Sequence, residues 1–412
     1  MISLRRVAVL SLAAVLPVVA GCTGDDDRAS DDARAGSGGC VTEYDEDQDY
    51  FPVKTSAEQS EHWSIEYFGS YKVITVTDGE NAGGDDLRYV LYQCGTPQPE
   101  ADGDLADALF VEVPVDNASV TSFNALAMVD RLGRNTSITG LSGQLLGNGE
   151  QDVWYAGVIE QAGDPLPIGE YTDLDREALL VLENDVIFMS GFGVGFDDIT
   201  NVRAAGLPGV SVSNRLEPHA LASAEWIKMI GAFYNAEVAA NMEFEVIRGR
   251  FNEVVKRVTL AGAAAGRQVG YVCVGEEFCG DFFYAHGADT VNGRLLTALG
   301  AENPFAEGNT EPNGKPYDYE AALGAGADAD LFINYAPVSE HLATTAADER
   351  YQSLAPIAAG NVIAVADENF QECRAKGYLD VDILIRDYAI GLAPGLFPGE
   401  HGTCFVRAGG AS

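Results

Sequence analysis

Two α/β lobes with mainly parallel sheets, joined by one long rigid helix and preceded by a β-rich extension, follow from three patterns in this sequence. Ala240, Phe244, Ile247, Phe251, Val254 and Val258 recur three or four residues apart with charged residues between them, which is one apolar stripe on a helix. Strand-like and helix-like segments alternate both before and after that stripe, which predicts parallel sheets covered by helices. Between residues 63 and 114 four strand-like runs are separated by Gly, Asn and Asp, with no helical period among them.

The chain opens with Arg5 and Arg6, followed by an apolar run over 7–20 that is short and broken by Pro17. Such a run is an export signal and not a membrane span. It closes on Val19-Ala20-Gly21-Cys22, which resembles the bacterial lipobox, where the peptide is cut before a cysteine that then carries lipid. The competing reading is an ordinary secretory peptide with an incidental cysteine. Segment 1–21 is therefore expected to be the signal, and 22–60 a lipidated Cys22 on a flexible acidic tether rich in Asp, Gly and Ser.

The strand-like runs are 64–68, 71–77, 88–93 and 108–114. Alternation then begins: strand 118–122, helix 125–132, strand 137–140, helix 175–182, strand 185–189, helix 196–205 and strand 210–213. The linking helix is predicted to start with Asn235 as N-cap, with Glu237 in its first turn, Lys256 and Arg257 in its last and Gly262 beyond. About 24 residues at ~1.5 Å each make a rod of about 36 Å, long enough to span two lobes. Past it come strand 269–274, helices 291–299 and 319–325, strands 329–334 and 361–366 and a last helix 381–393. The expected division is a first lobe with its β extension at 61–234, the interlobe helix at 235–262 and a second lobe at 263–412.

A net charge of −38 makes nucleic acid an unsuitable partner, because phosphate binding needs a basic footprint. The acidity suits solubility outside the cell, and it also suits a cationic ligand or a salty habitat. With Cys22 set aside for lipid, six cysteines remain, an even number in an exported chain. The expected pairs are Cys273 with Cys279 around a short loop after a strand, Cys373 with Cys404 near the C-terminus, and Cys40 with Cys94 at the end of the tether. A metal site is the rival, although no C-x-x-C spacing occurs.

The two halves echo each other. Asp175-Arg-Glu177-Ala-Leu-Leu runs into Asp185-Val-Ile-Phe, and Asp318-Tyr-Glu320-Ala-Ala-Leu runs into Asp330-Leu-Phe-Ile. On its own, a first-turn glutamate serves the helix dipole.

Residues 63 to 407 resemble the solute-binding proteins of ABC importers for iron complexes and cobalamin, the type whose lobes are joined by a single helix. The resemblance is carried by Tyr71-Lys-Val-Ile-Thr-Val, Gly95-Thr-Pro-Gln-Pro, and Val120-Thr-Ser-Phe-Asn leading to Leu132-Gly133 and Gly140-Leu-Ser-Gly143. Glu177-Ala-Leu-Leu, Ala224-Glu-Trp-Ile-Lys228 with Gly231, and the stretch from Asp380 to Phe397 complete it. Asn117 and Asn184 depart from the family's usual residues. The resemblance implies a lipid-anchored, extracytoplasmic monomer that holds a small metal chelate between its lobes and performs no chemistry. A ferric siderophore is the first choice of ligand, cobalamin or haem the second and a bare metal ion the third. The implied partners are the importer's permease and ATPase subunits, with Glu177 and Glu320 docking on the permease; no cofactor and no resident metal are implied.

Ligands of open α/β sheets bind beyond the carboxyl ends of the strands. The residues expected there are Ser122, Phe123 and Asn124, then Ser190, Gly191 and Phe192, and in the second lobe Tyr284 and Tyr335. The aromatics would line a cleft for a flat or ringed ligand; core packing is their alternative role. The run Gly191-x-Gly193-x-Gly195 reads as an ordinary turn or as an anion cradle. His62, His219, His286, His341 and His401 are scattered, without a His-Glu-x-x-His or Gly-x-Ser-x-Gly motif, and no acid/base pair stands out. His219 falls at the junction before the rod and His286 near the second lobe's cleft, where each has either a structural role or one in ligating a bare metal. The alternatives kept open are a metallocluster-handling enzyme on a related two-lobe fold and a surface scavenger or sensor with no importer.

Overall fold

The structure, a computed structural model, describes residues 39–77, 86–170, 172–191, 199–275, 279–280, 283–311 and 314–409. The β extension forms its own sheet: β1 (Trp63–Phe68), β2 (Tyr71–Val76) and β3 (Leu87–Gln93) pair antiparallel, and β4 (Leu109–Val113) joins β3 in parallel. Ile74, Val76, Tyr89 and Leu91 are buried on one face of this sheet, and Val73 and Val90, paired on the other face, are buried as well. Cys40 is joined to Cys94 at the end of β3.

The first lobe is wound on a five-stranded sheet of β5 (Ala118–Val120), β6 (Ile138–Leu141), β7 (Leu166–Pro167), β10 (Val186–Met189) and β11 (Gly209–Ser211). Its order is β11-β10-β5-β6-β7 and every pairing is parallel. A two-stranded hairpin, β8 (Gly169–Glu170) with β9 (Asp173–Leu174), stands beside it. Among its described residues the second lobe has a six-stranded sheet of β12 (Val269–Cys273), β13 (Phe283–Ala285), β14 (Lys315–Tyr317), β15 (Leu331–Pro337), β16 (Val362–Val365) and β17 (Phe405–Arg407). They are ordered β14-β13-β12-β15-β16-β17. Only the central three are parallel; β13, β14 and β17 pair antiparallel at the margins. The parallel centre carries the unbroken apolar runs, as a sheet buried on both faces does.

Between the lobes the chain makes two helices. Ala220–Phe233 is buried along its whole length, and Glu237–Leu260 is the predicted rod, burying Ala240, Phe244, Ile247, Phe251, Val254 and Val258. They meet at a tight corner: a Cβ on Gly231 would lie 2.6 Å from the Cβ of Ala240, so only glycine lets the helices approach this closely. Asn235 is not the N-cap. That position falls to Ala236, and Asn235 takes a left-handed conformation with φ of 49°. Its side chain is committed elsewhere: its amide donates to Gln93 Oε1 (2.8 Å), and its Oδ1 accepts from Lys72 Nζ (2.9 Å). Lys72 is fully buried, pairs with Glu237 and lies 4.5 Å from the Phe51 ring centroid. A buried ammonium needs acceptors, and this need outweighs the helix cap.

The tether expected to run to residue 60 ends earlier. Residues 51–61 lie on the two interlobe helices, held by carboxylates from far along the chain. Glu225 accepts from the backbone N–H of Glu58, Gln59 and Ser60 and pairs with Lys228, while Glu217 accepts from Glu61 N–H and Trp226 Nε1. Asn241 and Arg248 of the rod reach Lys54 and Glu58.

Candidate binding cleft

A cleft of ≈ 390 Å³ opens between the lobes. Phe123, the first residue of the helix Phe123–Arg131 that follows β5, supplies the first lobe's wall. Among the described residues the second lobe supplies the rest. Tyr271 comes from β12, Tyr284 from β13 and Tyr335 from β15; Arg374 lies on the helix Phe370–Lys376, with Tyr378 just after it. The disulfide-bonded Cys273 and Cys279, and Cys373 of the Cys373–Cys404 pair, also line this space.

Tyr271 is the hub of the wall. Its ring lies 4.8 Å edge-on to His286 and 6.1 Å from both Tyr335 and Tyr388. Burial holds its hydroxyl far above the usual phenol range, and burial likewise raises Tyr335 and lifts Tyr378 to about 12. These phenols are hydrogen-bonding groups at neutral pH, not charges. His286 is neutral too: burial pushes it down to about 4, and its Nδ1 is a buried atom with no hydrogen-bond partner among the described residues. Among the described lining residues the charge belongs to Arg374, whose guanidinium bonds the Tyr335 hydroxyl and lies 5.5 Å from the Phe123 ring centroid. Chemically the described lining residues offer aromatic faces, phenol hydroxyls, a neutral imidazole and one cation, groups that suit the faces and acceptor groups of a flat or ringed molecule.

Of the residues expected here, Phe123, Tyr284 and Tyr335 are brought together. Ser122 and Asn124 are buried away from the cleft: Ser122 caps its helix by accepting from Ala125 N–H (3.3 Å), and Asn124 donates to Asn214 Oδ1 (3.2 Å). Ser190 and Gly191 do not line the space either. Gly191 has φ of 63° and packs against Ser211 and Ser213, and its carbonyl accepts from Arg215. Phe192, with the rest of its glycine run, lies outside the described residues, as does Cys22. Tyr271, Arg374 and Tyr378 were missed. Tyr271 sits in an apolar strand and reads as core, and Arg374 has no motif around it.

Glu177 and Glu320 occupy matching settings. Each is exposed in the first turn of its helix, Arg176–Leu182 or Tyr319–Gly326. Each helix is capped by an aspartate two residues earlier, Asp175 accepting from Ala178 N–H (3.0 Å) and Asp318 from Ala321 N–H (2.8 Å).

No family model matches the chain. An uncharacterised lipoprotein of Methanocaldococcus jannaschii is 23% identical over 311 residues, 72% of this chain and 70% of that one. Among solved structures, a periplasmic binding protein from Veillonella parvula superposes with a TM-score of 0.55 at 9% identity, covering 81% of this chain and 98% of that one. The petrobactin-binding protein of Bacillus subtilis gives 0.52 at 14% identity over 68% and 92%, and a periplasmic haem-binding protein of Pseudomonas aeruginosa 0.52 at 13% over 72% and 99%. The chain has the two-lobed fold of the periplasmic solute-binding proteins.

Proposed function

We propose that this chain is the lipid-anchored solute receptor of an ABC importer and that it captures a metal chelate, a ferric siderophore before haem or cobalamin, between its lobes. The observation that carries the reading is the cleft itself: Phe123 faces a second-lobe wall of tyrosines with Arg374 as the lining's charge. Aromatic walls take the ring faces of a chelate, and one guanidinium takes a carboxylate or phenolate at its edge. Proteins of the same fold that bind petrobactin or haem support this ligand class. In this reading Cys22 carries the lipid on the outer side of the membrane, as the lipoprotein relative and the lipobox-like run suggest. Glu177 and Glu320, each projecting from the first turn of its helix, form a two-point acidic key for basic sites on the permease.

The test is a thermal-shift screen of the mature chain against ferric siderophores, haem, cobalamin and free ferric ion. A ligand at a hundred times its Kd adds about 2.7 kcal/mol. A shift with one chelate supports the reading; a response to the bare ion alone, or to nothing, sinks it.

A further inference from the structure

One short stretch of the second lobe, residues 370–380, makes a seam with the first lobe. Arg374 lies over Phe123 (5.5 Å), Lys376 lies over the Trp154 ring (4.7 Å), and the Glu372 N–H donates to Asp152 Oδ2 (3.2 Å). The seam ends in an ion pair. Arg131, in the last turn of the helix Phe123–Arg131, places Nη2 2.6 Å from Asp380 Oδ1. The other arm of the same guanidinium points at Glu243 of the interlobe helix, 3.5 Å away. One cation thus touches the first lobe's own helix, the rod and the second lobe.

The two acceptors are unequal. The Asp380 side chain is 9% exposed and Glu243 is 38% exposed. Parting Arg131 from Asp380 leaves a carboxylate stranded in a poorly solvated place, whereas Glu243 exchanges the guanidinium for water at little cost. Asp152 is also buried but keeps the Trp154 and Tyr155 N–H groups of its own helix when Glu372 withdraws, and the cation–π contacts strand no carboxylate. We propose that Arg131 is a positioning residue that latches the lobes closed through Asp380, with Glu243 holding the guanidinium when the lobes part. Because the rod bends little, this pair sets the fraction of closed receptor.

The latch is read without any ligand, so its failure is distinct from failure of the ligand assignment. Hydrogen–deuterium exchange on the full mature chain would follow the Glu372 amide and the 370–380 peptide. Asp380→Asn should raise exchange there about tenfold or more while amides of β12 and β15 keep their protection. Glu243→Gln should change it less than about threefold. Should Asp380→Asn not fold, Arg131→Lys, which keeps the charge and loses the fork, carries the same test and should also loosen the seam. Unchanged seam protection in the Asp380 or Arg131 variant, or equal loosening by Glu243→Gln, overturns the proposal.

Discussion

The carboxylate of Asp152 caps two helices belonging to different lobes: Oδ1 accepts from Trp154 and Tyr155 N–H at the start of its own helix, and Oδ2 accepts from Glu372 N–H in the first turn of Phe370–Lys376. First-turn N–H groups have no partner within their helix, so one side chain satisfies orphan donors on both sides of the cleft. Asp152→Ala should lower stability in urea by about 1–3 kcal/mol, the sum of an ordinary cap and a charge-assisted bond across the seam. Asp152→Asn should cost less, because its Oδ1 still accepts.

Lys72 and Glu237 tie the β extension to the start of the rod, and both are buried. Burial pulls the lysine's pKa down and the adjacent carboxylate opposes that pull. Lys72→Met should destabilise by about 3–5 kcal/mol, since it strands the Glu237 charge with little beyond the Tyr67 hydroxyl, 3.3 Å away. Replacing both, Lys72→Met with Glu237→Leu, should cost clearly less than the single change. Denaturant titrations of the three variants decide this.

Asp382 sits near Asp380 in a buried place, and burial first, then that neighbour, lift its pKa from the ordinary 3.8 to about 6; Arg250, 3.7 Å away, offsets only part. The folded state therefore holds this proton more tightly than the unfolded chain. Its contribution is fully present below the unfolded value and is lost as pH rises through about 6. Asp382→Asn should be more stable than the parent at pH 7.5 by on the order of 2 kcal/mol, with the difference gone at pH 4. Equal stability at both pH values would refute this.

The three disulfides close segments with separations of 54, 31 and 6 residues: Cys40–Cys94, Cys373–Cys404 and Cys273–Cys279. Loop-closure entropy ranks their contributions at about 4, just under 4 and about 2 kcal/mol. Paired Cys→Ser variants should follow that order in thermal unfolding. The Cys273–Cys279 pair, although the weakest of the three in stability, faces the cleft, so its removal should weaken ligand binding more than loss of Cys40–Cys94 does.

The rod was legible because its stripe repeats at helical spacing and nothing else in the sequence competes with that period. The lobes were legible for the same reason, through strands alternating with helices. The strap at residues 51–61 was not, since it has no period of its own and is ordered by Glu217 and Glu225, more than 150 residues away in the chain. Asn235 misled because its cap preference is local, whereas the demand of buried Lys72 is tertiary. In the cleft, strand ends pointed to Phe123, Tyr284 and Tyr335. Ser122 and Asn124 lie at the same level but turn inward, a choice made by helix capping and the Asn214 amide and not by anything a strand pattern displays.

The central claim is that the space between Phe123 and Tyr271 receives a metal chelate. The most direct measurement is an anomalous difference map at the iron edge from crystals of the mature chain grown with the ferric chelate that gives the largest thermal shift. The account predicts one strong iron peak inside the cleft, within reach of the Tyr271, Tyr335 and Arg374 side chains, and its loss in crystals of an Arg374→Ala, Tyr335→Ala variant. Iron found only at the acidic surface, or an empty cleft beside a chelate bound elsewhere, would contradict it.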